Sequence, residues 1–424
     1  MSGKWRWMLA GLTAALALVG PCAGAAQAKF FGGMVPDVPS AGAVSAGAPV
    51  AIGAHAPARS GPIARIANLP YSGGAVLHSN RTHLIFWQPP VLGFDPGFGP
   101  QVETFLARVA ADSRRPTNVY GLSGQYRDSA GPAAYNSSYA GAVLDTDPLP
   151  SNDCTEPSYF AGGPGWSVCL SDHQLENEIA RVIAERGLPR GANDVYFLVT
   201  PNGLGSCVQP GSGSSCALGG SSNGGYCGYH SQDGSILYAV IPYSAVPGHC
   251  QSDNPRPNAS TADPVISMIS HEHNEMVTDP SGDAWIDSAG NEDGDLCLTV
   301  FGPNIGGSGA GAWNETIDGG HYYLQEEFSN EDASCRPRDE SDRISFSAPR
   351  NPRARKRLTL SARASDPDGA IVAYYWSFGD GRSHSRSRRA SHAFRRPGVY
   401  RVVLRTTDRV GNWAFYTRRI RVRG

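Results

Sequence analysis

The chain has no C-x-x-C pair, and after its first 28 residues no apolar run long enough to cross a bilayer. The first absence argues against a cysteine zinc site. The second argues against a membrane span beyond the N-terminus. The acidic stretches do not follow EF-hand spacing. A single G-x-S-x-G string, 220–224 around Ser222, lies in Gly/Ser-rich sequence with no strand before it and no helix after it. A nucleophile elbow needs both, so none is expected there, although Ser270 beside His271 leaves a Ser/His/Asp arrangement open. The helix 260–280 also lacks the second histidine of H-E-x-x-H, because Glu275 stands in its place.

What is present points to an exported protein of two folded parts. The 424 residues leave room for two or three domains, 40% hydrophobic content supports real cores, and 51 glycines and 32 prolines predict many loops. Lys4 and Arg6, an apolar run over 8–19 and the A-x-A triplet Ala26-Gln27-Ala28 read as a signal peptide cleaved after Ala28. Cys22 follows Pro21, a poor fit to a lipoprotein signal, so no lipid anchor is expected. Eight cysteines then remain, 154, 169, 207, 216, 227, 250, 297 and 335, an even number suited to four disulfides in an oxidising compartment. Order along the chain suggests Cys154–Cys169 and Cys297–Cys335. The net charge of −2 hides a split: residues 341–424 carry 20 Lys+Arg against 5 Asp+Glu, and the rest carries 16 against 33. The basic end reads as a solvated arginine-rich surface or one facing the acidic part. An acidic polymer or a membrane surface is the alternative partner, and nucleic acid is not expected.

Residues 29–65, rich in Gly, Ala, Pro and Ser, read as a flexible exposed segment. The first folded domain spans 66–338. Strands are expected at 83–88, 118–122, 125–126, 194–200, 236–241 and 321–330, and helices at 100–111 and 172–186, the second capped by Ser171. The stretch 202–234 would not order without cross-links, and 336–341 reads as a linker. Helices among apolar strands imply an α+β, or mixed α/β, domain.

The chemistry concentrates in SMISHEHNEMVTDP, 267–280. His271 and Glu275 leave one helix face a turn apart, and Glu272 follows the first of them, as in the zincin helix. A carboxylate is an acceptable zinc ligand. The expected site is zinc held by His271, Glu275 and a third carboxylate, Asp295 or Glu292, with His321 behind them and Glu272 as general base. Calcium is the competing metal, and a hydrogen-bonded polar cluster is the alternative to any metal. His273 points off this face and is expected to make a hydrogen bond.

Two resemblances follow from the motifs. HSNRTHLIFW (78–87), CGYH (227–230), LYAVIPY (237–243), SHEHNEMVTDP (270–280), EDGDLC (292–297) and LQEEFSN (324–330) resemble the EXORDIUM, or phosphate-induced protein 1, family. That resemblance implies a secreted protein and supplies no biochemical activity. SDPDG (365–369), YYWSFGDG (374–381) and HAFRRPGVYRVVLRTTD (392–408) resemble a PKD domain, which implies an all-β immunoglobulin-like sandwich over 341–424 that contacts extracellular protein or polysaccharide. Bottom-up, the same region shows short alternating strands parted by turn signals at 368–369, 380–381 and 397–398, with Trp376 as core aromatic. Two functions remain: a secreted zinc hydrolase of peptidase type, or a non-catalytic extracellular binding protein.

Overall fold

The computed structural model describes residues 31–32, 68–154, 166–208, 216–218, 225–367, 369–381 and 384–424. The signal peptide, nearly all of 29–65 and the 220–224 string lie outside the described residues. The larger domain begins its sheet with β1 (Phe31–Gly32) and β2 (Asn80–Trp87), followed by α1 (Phe98–Ala111), β3 (Ser137–Asp145), β4 (Val168–Ser171) and α2 (Asp172–Arg186). Next come β5 (Asp194–Val199), β6 (Leu204–Cys207), β7 (Cys216–Ala217), β8 (Gly225–Tyr226), β9 (Tyr229–Asp233), β10 (Ile236–Ile241) and α3 (Ala262–Thr278).

A six-stranded sheet runs β1-β9-β10-β5-β2-β3. Its centre is parallel, with Tyr238 opposite Tyr196 and Tyr196 opposite His83. DVYFLV and ILYAVI are buried at every position, as parallel strands covered on both faces must be. The β9 strand turns back antiparallel to β10, and β1 adds to its edge, Gly32 opposite His230. Part of the segment expected to be flexible therefore pairs with the sheet. Helix α1 buries Phe98, Val102, Phe105, Leu106 and Val109, starting two residues before the predicted position. Helix α2 opens with a capping box from Ser171 and Gln174.

Four disulfides form: Cys154–Cys169, Cys207–Cys216, Cys227–Cys250 and Cys297–Cys335. Cys154–Cys169 and Cys207–Cys216 hold strands of a second sheet, β4-β6-β7-β8, and Cys227–Cys250 joins the Gly/Ser-rich region to the segment after β10. Three expected strands differ: 118–122 and 125–126 are not strands, and 321–330 is two short ones. Residues 119–125 wind as a 3-10 helix, because the Asn118 side chain accepts the Tyr120 N–H at 3.1 Å and offers the backbone a turn. Residues 321–330 divide into β12 (Gly320–Tyr322), which pairs with β11 (Glu315–Ile317), and β13 (Glu327–Ser329), which pairs with β14 (Ser334–Arg336). Asn314 causes the break: its side chain takes both the N–H and the C=O of Leu324, at 2.9 and 2.6 Å.

The C-terminal domain is a sandwich of β15 (Arg343–Ser347), β16 (Leu358–Ser365) and β19 (Arg389–His392) against β18 (His384–Ser385), β17 (Ile371–Ser377), β20 (Gly398–Asp408) and β21 (Trp413–Val422). Trp376 is fully buried among Phe346, Phe378, Phe394, Val402 and Leu404. The β20–β21 turn seats on the larger domain: Asn412 Nδ2 donates to Gly121 O and Asp339 Oδ2, at 2.8 and 2.6 Å. Gly124 has no side chain because a Cβ would collide with Val410 O.

Candidate metal centre

Helix α3 carries the centre. Ser260 Oγ accepts the Ala262 N–H at 3.1 Å, and Asp263 accepts the Ser260 N–H at 3.1 Å, so the first turn is capped locally. Pro264 fits there without losing a hydrogen bond. At the other end, Asp279 Oδ1 accepts from Asp283 N and Ala284 N, both at 2.9 Å, and turns the chain before it can continue. Every residue of the helix is buried. Its polar side chains must therefore find partners within the protein.

His271 and Glu275 meet as their spacing requires: Nε2 lies 3.1 Å from Glu275 Oε1. The loop after the helix returns to the same place. Asp295 Oδ1 is 3.7 Å from His271 Nε2, and the Asp295 N–H donates to Glu275 Oε1 at 3.1 Å. These three residues could hold a metal ion. Glu292 lies one step further, with Oε2 3.8 Å from His230 Nε2. His321 does not join them. It is exposed and stacks on Trp313 with ring centroids 3.9 Å apart. His273 faces away, bonded to Asn80 Oδ1 at 2.9 Å between Tyr120 and Phe197.

Sequence reasoning missed His230. It is fully buried on β9, with Nδ1 3.1 Å from Glu272 Oε2 and 3.9 Å from Glu275 Oε2. Together with Glu272 and Glu275 it makes a second group able to hold a cation. Also unforeseen as site residues were Glu327, whose Oε1 accepts from Asn274, Asp293, which accepts from Thr278, and Gln325, whose amide donates to Gly294 O at 2.9 Å and lies 2.9 Å from His271 Nδ1. Four of these residues stood in the quoted motifs CGYH, EDGDLC and LQEEFSN.

The electrostatics are one-sided. Burial pushes the carboxyls of Glu272, Glu275, Glu292, Asp295 and Glu327 far above the usual range, and neighbouring carboxylates push them further. Burial raises Asp293 to about 6 and lowers His230 to about 3. Several oxygens have no hydrogen-bond partner: Glu272 Oε1, Glu275 Oε2, Glu327 Oε2 and both of Glu292. Buried acceptors of this kind are rarely left so. A cation answers that need, and the donor set of imidazole and carboxylate fits zinc. The contrasting group of Asp145, Asp147 and Glu178 already has its cation, Arg181, within 2.9 Å of each.

Residues 343–422 match the family profile described as a PKD domain. Solved structures resemble about a fifth of the chain. A structure of promiscuous carbohydrate-binding modules of the β-sandwich superfamily is 29% identical, covering 21% of this chain and 36% of its own, with a TM-score of 0.20. The PKD1 domain of Vibrio anguillarum Epp is 27% identical over 20% of this chain and 96% of its own, TM-score 0.19. The PKD1 domain of the Vibrio cholerae metalloprotease PrtV is 26% identical over 20% and 100%, TM-score 0.19. The chain thus spans about a third of the first structure's length.

Proposed function

We propose that this chain is an extracellular binding protein whose larger domain is held together by a buried divalent cation and whose PKD domain makes the outward contact. The observation that carries the reading is the set of partnerless carboxylate oxygens gathered at two imidazoles with almost no exposure to solvent. Structural metal sites are closed in this way, whereas catalytic ones keep a position open. The mixed nitrogen and oxygen donors favour zinc over calcium, which prefers oxygen alone. His271, Glu275 and Asp295 would hold the ion. Export is supported by the signal-like N-terminus and by four disulfides, which persist in oxidising compartments. The EXORDIUM-like motifs over 66–336 agree with that location.

For the outward contact, Arg343, Arg363 and Arg388 line an open cleft of about 420 Å³ on the PKD domain, with Ser345 and Ser365 between them. Guanidinium groups so arranged suit an anionic extracellular polymer, an acidic polysaccharide foremost.

A zincin-like hydrolase is the second reading, favoured by Glu272 following His271 on the helix and by Asp295 converging on them. Zinc there would supply Lewis acidity, and Glu272 would take the proton of an attacking water. Elemental mass spectrometry of the purified protein beside His271→Ala and Glu275→Ala tests the shared premise. Near-stoichiometric zinc that vanishes in both supports it, and a metal-free, folded wild type after reloading removes it. Peptidase activity abolished by Glu272→Gln would favour the hydrolase over the binding protein.

A further inference from the structure

We propose that the centre takes two divalent cations, with Glu275 shared between them. The inference rests on the first position, His271–Glu275–Asp295, and adds a second formed by His230, Glu272 and Glu275, with Glu292 buried beside the same imidazole.

Glu275 offers its two oxygens to different imidazoles. Oε1 lies 3.1 Å from His271 Nε2, and Oε2 lies 3.9 Å from His230 Nδ1. A carboxylate placed so is a bridge. Glu272 Oε2 stands 3.1 Å from the same His230 nitrogen, and its other oxygen has no hydrogen-bond partner. Glu292 is fully buried, neither of its oxygens has such a partner, and one lies 3.8 Å from His230 Nε2. The other face of the imidazole is prepared as well. His230 Nε2 is 3.4 Å from the backbone oxygen of Asp279, to which it can donate, leaving Nδ1 as an electron-pair donor. Metal-bound histidines are oriented by such a second hydrogen bond. Gly228 lets the strand approach, since a Cβ there would lie 2.8 Å from Glu272 Oε1.

Charge agrees. Glu272, Glu275, Glu292 and Asp295, with Asp293 and Glu327 buried beside them, gather more negative charge when ionised than one divalent cation offsets. Ionised buried carboxylates without compensation are strongly disfavoured. It follows that Glu272 is a ligand in this centre, not a free base.

The test is a cobalt(II) titration of the metal-stripped full chain, followed by visible absorption. The wild type is expected to break at two equivalents, His230→Gln at one, and Glu275→Ala below one. A wild-type break at one equivalent, unchanged in His230→Gln, overturns the second position and leaves the first standing. No binding by a folded wild type overturns both. Should His230→Gln not fold, the wild-type break point, two or one, decides alone.

Discussion

Gly294 stands where a Cβ would lie 2.7 Å from His271 Nδ1 and 2.8 Å from Glu275 Oε1. Neither neighbour can move without leaving the other groups of the centre. Gly294→Ala is therefore expected to lower stability by about 1–3 kcal/mol, the usual range for overpacking, and to reduce bound metal; denaturant unfolding and elemental analysis would check both. His273 is the control on the same helix. Its ring packs on Tyr120 and Phe197 and bonds Asn80, away from the carboxylates. His273→Ala should cost roughly 2 kcal/mol or more as a buried truncation while metal content per folded chain stays unchanged. Equal metal loss in both variants would contradict this division of the helix. The division was legible in part: i, i+4 spacing alone placed His271 and Glu275 on one face. His230 was not legible, because a lone histidine some forty residues upstream gains meaning only when β9 is laid beside α3.

Among the elements, the loop after α3 and the β13–β14 hairpin close the centre from outside. The loop supplies Glu292, Asp293 and Asp295, and the hairpin supplies Glu327. Cys297–Cys335 joins the two across a sequence separation of 38. Removing it as Cys297→Ala/Cys335→Ala should destabilise the domain by about 2–5 kcal/mol, as for native disulfides of small secreted domains, and weaken cation affinity without abolishing the fold of the PKD domain. Thermal unfolding with and without zinc would read this as one lowered and one unchanged transition. The long buried strands and amphipathic helices were visible in the sequence because hydrophobic runs and 3.6-residue periodicity are local signals. The 3-10 segment after Asn118 and the split at Leu324 were not. Both are decided by an asparagine side chain that competes with the sheet for backbone groups.

At the scale of the molecule, the β20–β21 turn meets the larger domain, and a titrating group, Asp408, ends β20 beside it. Burial first, then the Asp342 charge, raises Asp408 to about 7 from an ordinary value near 4. The folded state then binds the proton more tightly than the unfolded one. Its stabilising contribution is complete below about pH 4 and is lost as pH rises through 7. Asp408→Asn should flatten the fall in PKD-domain melting temperature between pH 5 and 8, and an unchanged slope would contradict the assignment. The C-terminal PKD sandwich was readable from its motifs. How the turn docks was not, since it depends on the shape of Gly121 and Gly124 against Val410 and Asn412. The larger domain is proposed to depend on its buried cation. The most direct measurement is the melting temperature of the full chain with chelator and after zinc reloading. A large zinc-dependent rise is expected, since ligand at a thousand times its Kd stabilises by about 4 kcal/mol, and so is its loss in Glu275→Ala. Identical melting in chelator and in zinc would contradict it.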